Sequence, residues 1–318
     1  MRIAICIGTF RRLDLLQELL VGVSQLTFRR TTTPEIEVII VDNDPLGSAR
    51  DICQSGDFRF PRKYVIEPRR GIAHVRNRAV REAGVVDFLA FIDDDEVPSA
   101  EWLEWLLWTH SEYKAEIVAG PVKPNFPAGV PEWIRSGGFF DRSEYQTGTS
   151  LEMCCTANAL VSSEVIASIS GFDERFQLTG GEDSHFFLRA RRAGFKIVWS
   201  QEALVSETIS HGRANLRWIL HRGFQIGNSW VLCERSLDGR PQVCFSRFVK
   251  ASGHLLIGAS TAPLSLFQGR ASLAKSFRKA CLGAGMLAGV FGYKYSAYES
   301  AGADPRKPAV PFGERSSA

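Results

Sequence analysis

A run of apolar residues that ends abruptly in three acids limits what this chain can be more than any other stretch. Val86-Asp87-Phe88-Leu89-Ala90-Phe91-Ile92 has the aliphatic and aromatic content of a buried strand, and Asp93-Asp94-Asp95 follow without a spacer. Three carboxylates at a strand end repel one another unless a cation or hydrogen-bond donors neutralise them. One reading is a solvated acidic turn. The other is a place for a hard divalent ion, since Mg²⁺ and Mn²⁺ take oxygen ligands and are commonly shared with substrate phosphates.

The surrounding pattern alternates strand and helix. Arg2–Ile7, Ile36–Val41 and Lys63–Ile66 read as further strands. Leu13, Leu16, Leu20 and Val23 mark an amphipathic helix, and Ile72–Ala83 reads as a second, closed by Gly84. Ser99 is placed to cap a third over Glu101–His110. Such alternation predicts an α/β fold, a mostly parallel sheet flanked by helices on both faces. Ligands of these sheets lie beyond the carboxyl ends of the strands. Asp42-Asn43-Asp44 and the triple aspartate both fall there.

Residues 121–150, with four prolines and Gly137-Gly138, read as a long surface loop. Trp133, Phe139 and Phe140 in it are candidates to stack on an acceptor sugar, to touch lipid or to anchor the loop. Gly180-Gly181 then precede a helix over residues 182–193, with Glu182 and Asp183 in its first turn. Capping explains acids there, because the helix dipole favours them. The two glycines also let a substrate approach, and a carboxylate at this point is a candidate general base. The helix dipole and a nearby cation would lower its pKa.

Composition excludes some classes. A net charge of +3 over 318 residues is too small to argue for nucleic acid. Seven cysteines without a Cys-x-x-Cys pair argue against zinc and fit reduced thiols. The apolar start is too short for a signal peptide, which predicts a cytoplasmic catalytic part.

Taken in order, Ile5-Cys6-Ile7-Gly8-Thr9-Phe10-Arg11-Arg12, Val41-Asp42-Asn43-Asp44, Gly71-Ile72-Ala73-His74-Val75-Arg76-Asn77, Phe91-Ile92-Asp93-Asp94-Asp95-Glu96 and Gly180-Gly181-Glu182-Asp183 resemble a family 2 glycosyltransferase with the GT-A fold. Residues 207–213, Leu216-Arg217-Trp218 and Arg222-Gly223-Phe224 are similar to the succinoglycan and exopolysaccharide glucosyltransferase branch. The resemblance implies an inverting, metal-dependent transfer of a hexose, glucose by branch, from a UDP-sugar to a lipid-linked oligosaccharide. Asp183 matches the catalytic base, with Glu182 beside it. Thr9, Arg11, Asp42, Arg76, Asp93 and Asp94 would meet the donor nucleotide. Asp95 would ligate Mg²⁺ or Mn²⁺. For a further metal ligand the resemblance leaves Glu207 and His211 open, Glu207 ahead. Arg213, Arg217 and Arg222, read at helical spacing, would hold the diphosphate, and Trp133 the acceptor. Ala214 stands where processive relatives have glutamine, which disfavours processive synthesis.

Two rival enzymes lack their signatures. A sugar nucleotidyltransferase needs a glycine-rich phosphate loop after the first strand, and a dinucleotide oxidoreductase needs Gly-x-Gly-x-x-Gly there; the chain has Gly8-Thr9-Phe10-Arg11. An inactive sugar-nucleotide-binding assembly subunit is the non-enzyme alternative. The expected organisation is a catalytic domain over 1–235, a helical extension over 236–300 and a disordered tail over 301–318. Leu255–Phe267 and Ala280–Tyr293 are apolar, too short to span a bilayer, and neighboured by Arg247, Lys250, Lys275, Arg278 and Lys279. They predict peripheral attachment to the inner face of the cell membrane.

Overall fold

The structure, a computed structural model, describes residues 1–296. Its first half builds the parallel part of one sheet. The elements are β1 (Arg2–Thr9), α1 (Leu13–Ser24), β2 (Glu35–Asp42), α2 (Arg50–Gln54), β3 (Arg62–Ile66), α3 (Ile72–Ala83) and β4 (Phe88–Asp93). Alternate side chains of β1 sort to the two faces. Ile3, Ile5 and Ile7 pack with Leu16 and Leu19 of α1, and Ala4 and Cys6 with Ala73, Val75 and Ala79 of α3. Burying each such aliphatic side chain contributes about 1.5–3 kcal/mol. Gly8 lets α3 lie against the end of β1, since a Cβ there would stand 2.5 Å from Val75 Cγ1.

The second half adds β5 (Glu96–Pro98), α4 (Trp102–Tyr113), β6 (Ile117–Ala119), β7 (Val122–Asn125), α5 (Glu132–Arg135), β8 (Asn158–Ser162), α6 (Ser163–Ile169), α7 (Glu182–Arg192), β9 (Ile197–Trp199) and β10 (Val205–Thr208). The main sheet has the order β3-β2-β1-β4-β8-β6-β9. β8 runs antiparallel to both its neighbours, and the other pairings are parallel. A second sheet, β5-β10-β7, places Glu207 directly opposite Glu96. The strand ends align, with Thr9 beside Asp42 and Gly8 beside Asp93.

Two expectations are corrected here. Residues 121–150 are more than a surface loop: they hold β7 and α5, and Phe139 and Phe140 are buried with Val130 and Ile134. Ser99 does not cap α4, which starts at Trp102 with Glu101 at its N-cap and no side-chain cap; the Ser99 N–H donates to Leu204 O instead.

The chain ends in α8 (Leu216–Leu237), α9 (Pro241–Gln268) and α10 (Arg270–Val290). The boundary expected at residue 235 falls inside α8, which packs on α10. No helix among the described residues is long and apolar enough to cross a membrane. The tail expected over 301–318 lies outside the described residues.

Candidate active site

Two acidic strand ends flank β1, and the chain treats them differently. At the end of β2, Asp42 is fully buried. Its Oδ1 accepts from the Asp44 N–H at 2.9 Å, and its Oδ2 from the Ala49 N–H and the Tyr64 hydroxyl, both at 2.9 Å. Asp42 therefore fixes the loop, and its oxygens are directed into the protein. Asn43 donates to Glu67 O and Arg69 O and accepts from the Gly71 N–H, which ties the loop to the start of α3. Asp44 accepts from Arg11 Nε at 2.8 Å, and that bond holds its carboxyl below the usual range. Arg11 has a left-handed φ of 54°.

At the end of β4 the carboxylates are crowded. Asp94 accepts from Thr9 Oγ1 at 2.8 Å and from Arg12 Nη1 at 2.9 Å. Asp95 Oδ2 is shared by Arg12 Nη1 at 3.1 Å and Arg213 Nη1 at 2.9 Å. Asp93 is the open member of the triplet, with its side chain 41% exposed. The Asp93 N–H donates to Glu96 Oε2 at 2.8 Å, while Glu96 Oε1 is buried without a hydrogen-bond partner. Burial raises Asp94 despite Arg12, and burial raises Asp95 to about 6, with Asp93 and Asp94 adding to it against Arg12. Glu96 is raised well above the carboxylate range, by burial first and then by Asp93.

The second sheet supplies the cross-brace. Arg142 Nη2 donates to Glu207 Oε2 at 2.9 Å and stands 3.9 Å from Glu96 Oε1. Arg213 Nη2 reaches the other Glu207 oxygen at 2.5 Å. Burial raises Glu207, but Arg142 and Arg213 outweigh it and the net shift is downward. Both Glu207 oxygens are thus held by guanidiniums in this structure. Arg142 also donates to Cys155 Sγ at 3.2 Å. Its central place was missed from sequence, because nothing local marks an arginine in a proline-rich stretch as a partner of residues 46 and 65 positions away.

Gly180 and Gly181 take left-handed φ values of 73° and 89° and turn the chain into α7. A Cβ on Gly181 would sit 3.0 Å from Cys233 Sγ, so the turn is pressed against α8. Glu182 is buried, its Oε1 bonded to Arg76 Nη1 and its Oε2 unpartnered. Burial pushes Glu182 up against the pull of Arg76, and Asp183 pushes the same way. For Glu182 the lowering expected from the helix dipole does not prevail. Asp183 is half-buried, with Oδ1 accepting from the Ser184 N–H at 2.6 Å. Arg76 also reaches Asp93 Oδ1 at 3.4 Å, so one guanidinium joins the first turn of α7 to the end of β4.

Other expected residues lie apart. His211 is exposed in the turn after β10 and makes no hydrogen bond or ion pair among the described residues. Arg213 precedes α8, so the three arginines do not share a helical spacing. Arg217 and Arg222 are exposed on α8, and Arg222 bonds Gln225 Oε1 at 2.9 Å. Five residues correspond to about 140° around a helix, so these two face different ways. Trp133 packs edge-on to Phe139 at 5.9 Å, as a loop anchor. No group of three or more His, Cys, Asp or Glu side chains poised to hold a metal ion is present among the described residues.

This sheet, with its acid rim at the strand ends, is that of a GT-A nucleotide-sugar transferase. A sequence profile for "Glycosyl transferase family 2" matches residues 4–170, and the chain belongs to that family. It is 32% identical over 305 residues to the succinoglycan biosynthesis protein ExoM of Rhizobium meliloti (strain 1021), covering 92% of this chain and 94% of that one. It is 22% identical to the glycosyltransferase AglE of Haloferax volcanii, over 74% of this chain and 76% of that one. Among solved structures, the mannosyltransferase PcManGT of Pyrobaculum calidifontis, in complex with GDP-Man and Mn²⁺, superposes with a TM-score of 0.59 at 16% identity, over 91% of this chain and 87% of that one. TarS 1–349 of S. aureus with UDP-GlcNAc superposes with a TM-score of 0.52 at 15% identity, over 93% of both chains. These two likenesses show the fold.

Proposed function

We propose that this glycosyltransferase moves a hexose, glucose in the first instance, from a UDP-sugar to a lipid-linked oligosaccharide in bacterial exopolysaccharide assembly, at the inner membrane surface. The similarity to the succinoglycan protein supports the pathway class. The observation that carries the reaction is the Arg76 bridge. It brings the helix bearing Asp183 within one guanidinium's span of Asp93. A base for the acceptor and a rim for the donor then belong to one site.

Asp183 removes the proton of the acceptor hydroxyl, whose oxygen attacks the anomeric carbon as the bond to the diphosphate oxygen breaks. The sugar inverts, and no enzyme nucleophile is needed. Glu182, held by Arg76, positions the turn that presents Asp183. Thr9 and Arg12 fix Asp94, and the Asp42 loop, with Arg11 on Asp44, shapes the nucleotide side.

The donor set suits Mg²⁺ or Mn²⁺. Six carboxylates, Asp93, Asp94, Asp95, Glu96, Glu182 and Glu207, meet four guanidiniums, Arg12, Arg76, Arg142 and Arg213. By formal count acids outnumber guanidiniums, the ligands are oxygens, and one or two carboxylates with phosphate oxygens suffice for Mg²⁺. Asp95 and the open Asp93 would hold the ion. When bound it would neutralise charge on the departing diphosphate.

The test is incubation with radiolabelled UDP-glucose and membrane acceptor, alongside binding of UDP-, GDP- and dTDP-sugars. Label transfer that requires a divalent cation supports the reading. Donor binding without transfer from any of these sugars would replace it with a binding subunit.

A further inference from the structure

α9 is the outermost helix of the chain's end, and its two sides differ. Ala251, Gly258 and Ser265 recur every seven residues and are buried. A Cβ on Gly258 would stand 2.6 Å from Ala280 N, so this seam is closed against α10. At 3.6 residues per turn, Phe245, Val249, Leu256, Leu264 and Phe267 fall within about 100° of arc on the opposite side. All five are exposed, Phe245 at 69%, Leu256 at 70% and Phe267 at 91%. A soluble helix with one partner normally turns polar residues outward. This one turns outward an apolar stripe.

The charge around the stripe has one sign. Residues 241–290 contain Arg247, Lys250, Arg270, Lys275, Arg278 and Lys279 and no Asp or Glu. Arg247 is paired with Glu234 on α8. Arg278 packs against Gly223 of α8. Lys250, Arg270 and Lys275 are exposed and have no acid within these two helices. At 3.6 residues per turn Lys250 lies about 40° beyond one edge of the stripe, and Arg270 follows its end; both are exposed. An apolar helix face flanked by these cations, without acids, complements a surface that is anionic at the headgroups and apolar beneath. A second copy of this chain does not fit as well, because a two-fold contact through this face would set like cations against one another.

We propose that the outward face of α9, from Phe245 to Phe267, lies on an anionic lipid bilayer, with Lys250 and Arg270 at the headgroups. This deepens the reading above, on which it rests for the lipid-linked acceptor, by naming the surface that brings enzyme and acceptor together. The hairpin is rooted near the site. Ala274 of α10 packs in the cluster of Ile134, Phe139, Phe140 and Ile219, and Phe140 stacks on Trp218 at 5.3 Å. Trp218 in turn lies 5.0 Å beneath the Arg213 guanidinium.

The experiment is co-sedimentation of the full chain with vesicles of phosphatidylcholine alone, or with about one third phosphatidylglycerol. The expected result is binding to the anionic vesicles and little to the neutral ones. Leu256→Ser with Phe267→Ser should weaken it at least about tenfold, because two large apolar side chains no longer enter the interface. Both positions are exposed, so circular dichroism and donor-nucleotide affinity should match the parent. No binding to anionic vesicles, or equal binding by parent and variant, would overturn the proposal. So would a dimer, seen by sedimentation without lipid, that the same variant dissociates. Transfer is measured to detergent-solubilised acceptor, without vesicles, so failure of the docking surface and failure of the glycosyltransfer reading are separate results.

Discussion

The ends of β2 and β4 carry the same kind of sequence, an apolar strand running into acids, and they reach opposite electrostatic outcomes. Around Asp42, three donors from the loop and from β3 occupy both carboxylate oxygens. Asp44 has Arg11 to itself. Nothing further is needed there. Around Asp93–Glu96, cations are shared and buried oxygens of Glu96 and Glu182 have no hydrogen-bond partner. A closed acid end serves as scaffold. An open one stores unfavourable charge that a ligand can relieve, and strain of this kind concentrates where function is.

The comparison is broken most directly at the open end. Asp183→Asn keeps the shape of α7's first turn and removes the base. Transfer should fall by about 10²–10⁴-fold, the usual contribution of a general base, while UDP binding stays near that of the parent. Initial rates with radiolabelled donor and calorimetric UDP titration measure the two. An unchanged rate would remove Asp183 from the chemistry.

Arg142→Ala tests whether the cross-brace holds the open end together. It leaves Glu207 with Arg213 alone and brings Glu96 closer to an isolated buried charge. Removing one partner of a buried pair costs about 3–5 kcal/mol. The partly exposed Arg142 argues for a value below that range, about 2–3 kcal/mol, read as a shift of the urea midpoint. Donor binding should weaken with it, since Glu207 shares Arg213 with Asp95.

Much of this contrast was hidden in the sequence for a physical reason. The parallel strands, α3, α7 and the acid positions were legible because period and punctuation are local. Arg76 and Asp93 were legible because their motifs lie at strand and helix ends. What neutralises each acid was not. Arg142 and Arg213 arrive from segments without a strong period, and Tyr64 on β3 looks like any strand aromatic. The strands β5, β6 and β7 are three or four residues long, too short to show alternation. The placement of Arg213 ahead of α8 follows from Asn215 as N-cap, its side chain accepting from the Trp218 N–H at 2.9 Å.

A paired substitution sharpens the contrast with stability alone. Asp42→Ala strands two backbone N–H groups and a tyrosine hydroxyl, and should lower stability by about 1–3 kcal/mol. Asp95→Asn removes one carboxylate from a crowded set and leaves Arg12 and Arg213 their other partners. In EDTA it should fold as stably as the parent or more so, by up to about 1 kcal/mol, while losing cation-dependent donor binding. Chemical denaturation of both variants in one buffer decides it. Destabilisation of equal size at the two ends would show that they are alike after all.

A pH-dependent effect concerns the helix beneath the open end. His185 lies one turn into α7 and is 2% exposed. Its Nε2 is 3.3 Å from Ser236 Oγ, and its ring lies 4.7 Å from Phe176. Burial, helped by Arg189, lowers its pKa to about 4, against Asp173 at 3.8 Å. The unfolded value is about 6.5, so between these limits the unfolded chain binds the extra proton. The stability contributed by the neutral ring is present above pH 6.5 and lost as pH falls towards 4. Asp95 and Glu182 are shifted upward and titrate across part of that range with the opposite sign. The measurement is therefore the difference between parent and His185→Gln, by urea midpoint at pH 7.5 and pH 5. The variant should lose less than the parent on acidification, by about 1–2 kcal/mol. Parallel pH profiles would mean that the imidazole gains a proton in the fold as readily as in the open chain, and that the acid response belongs to the carboxylates alone.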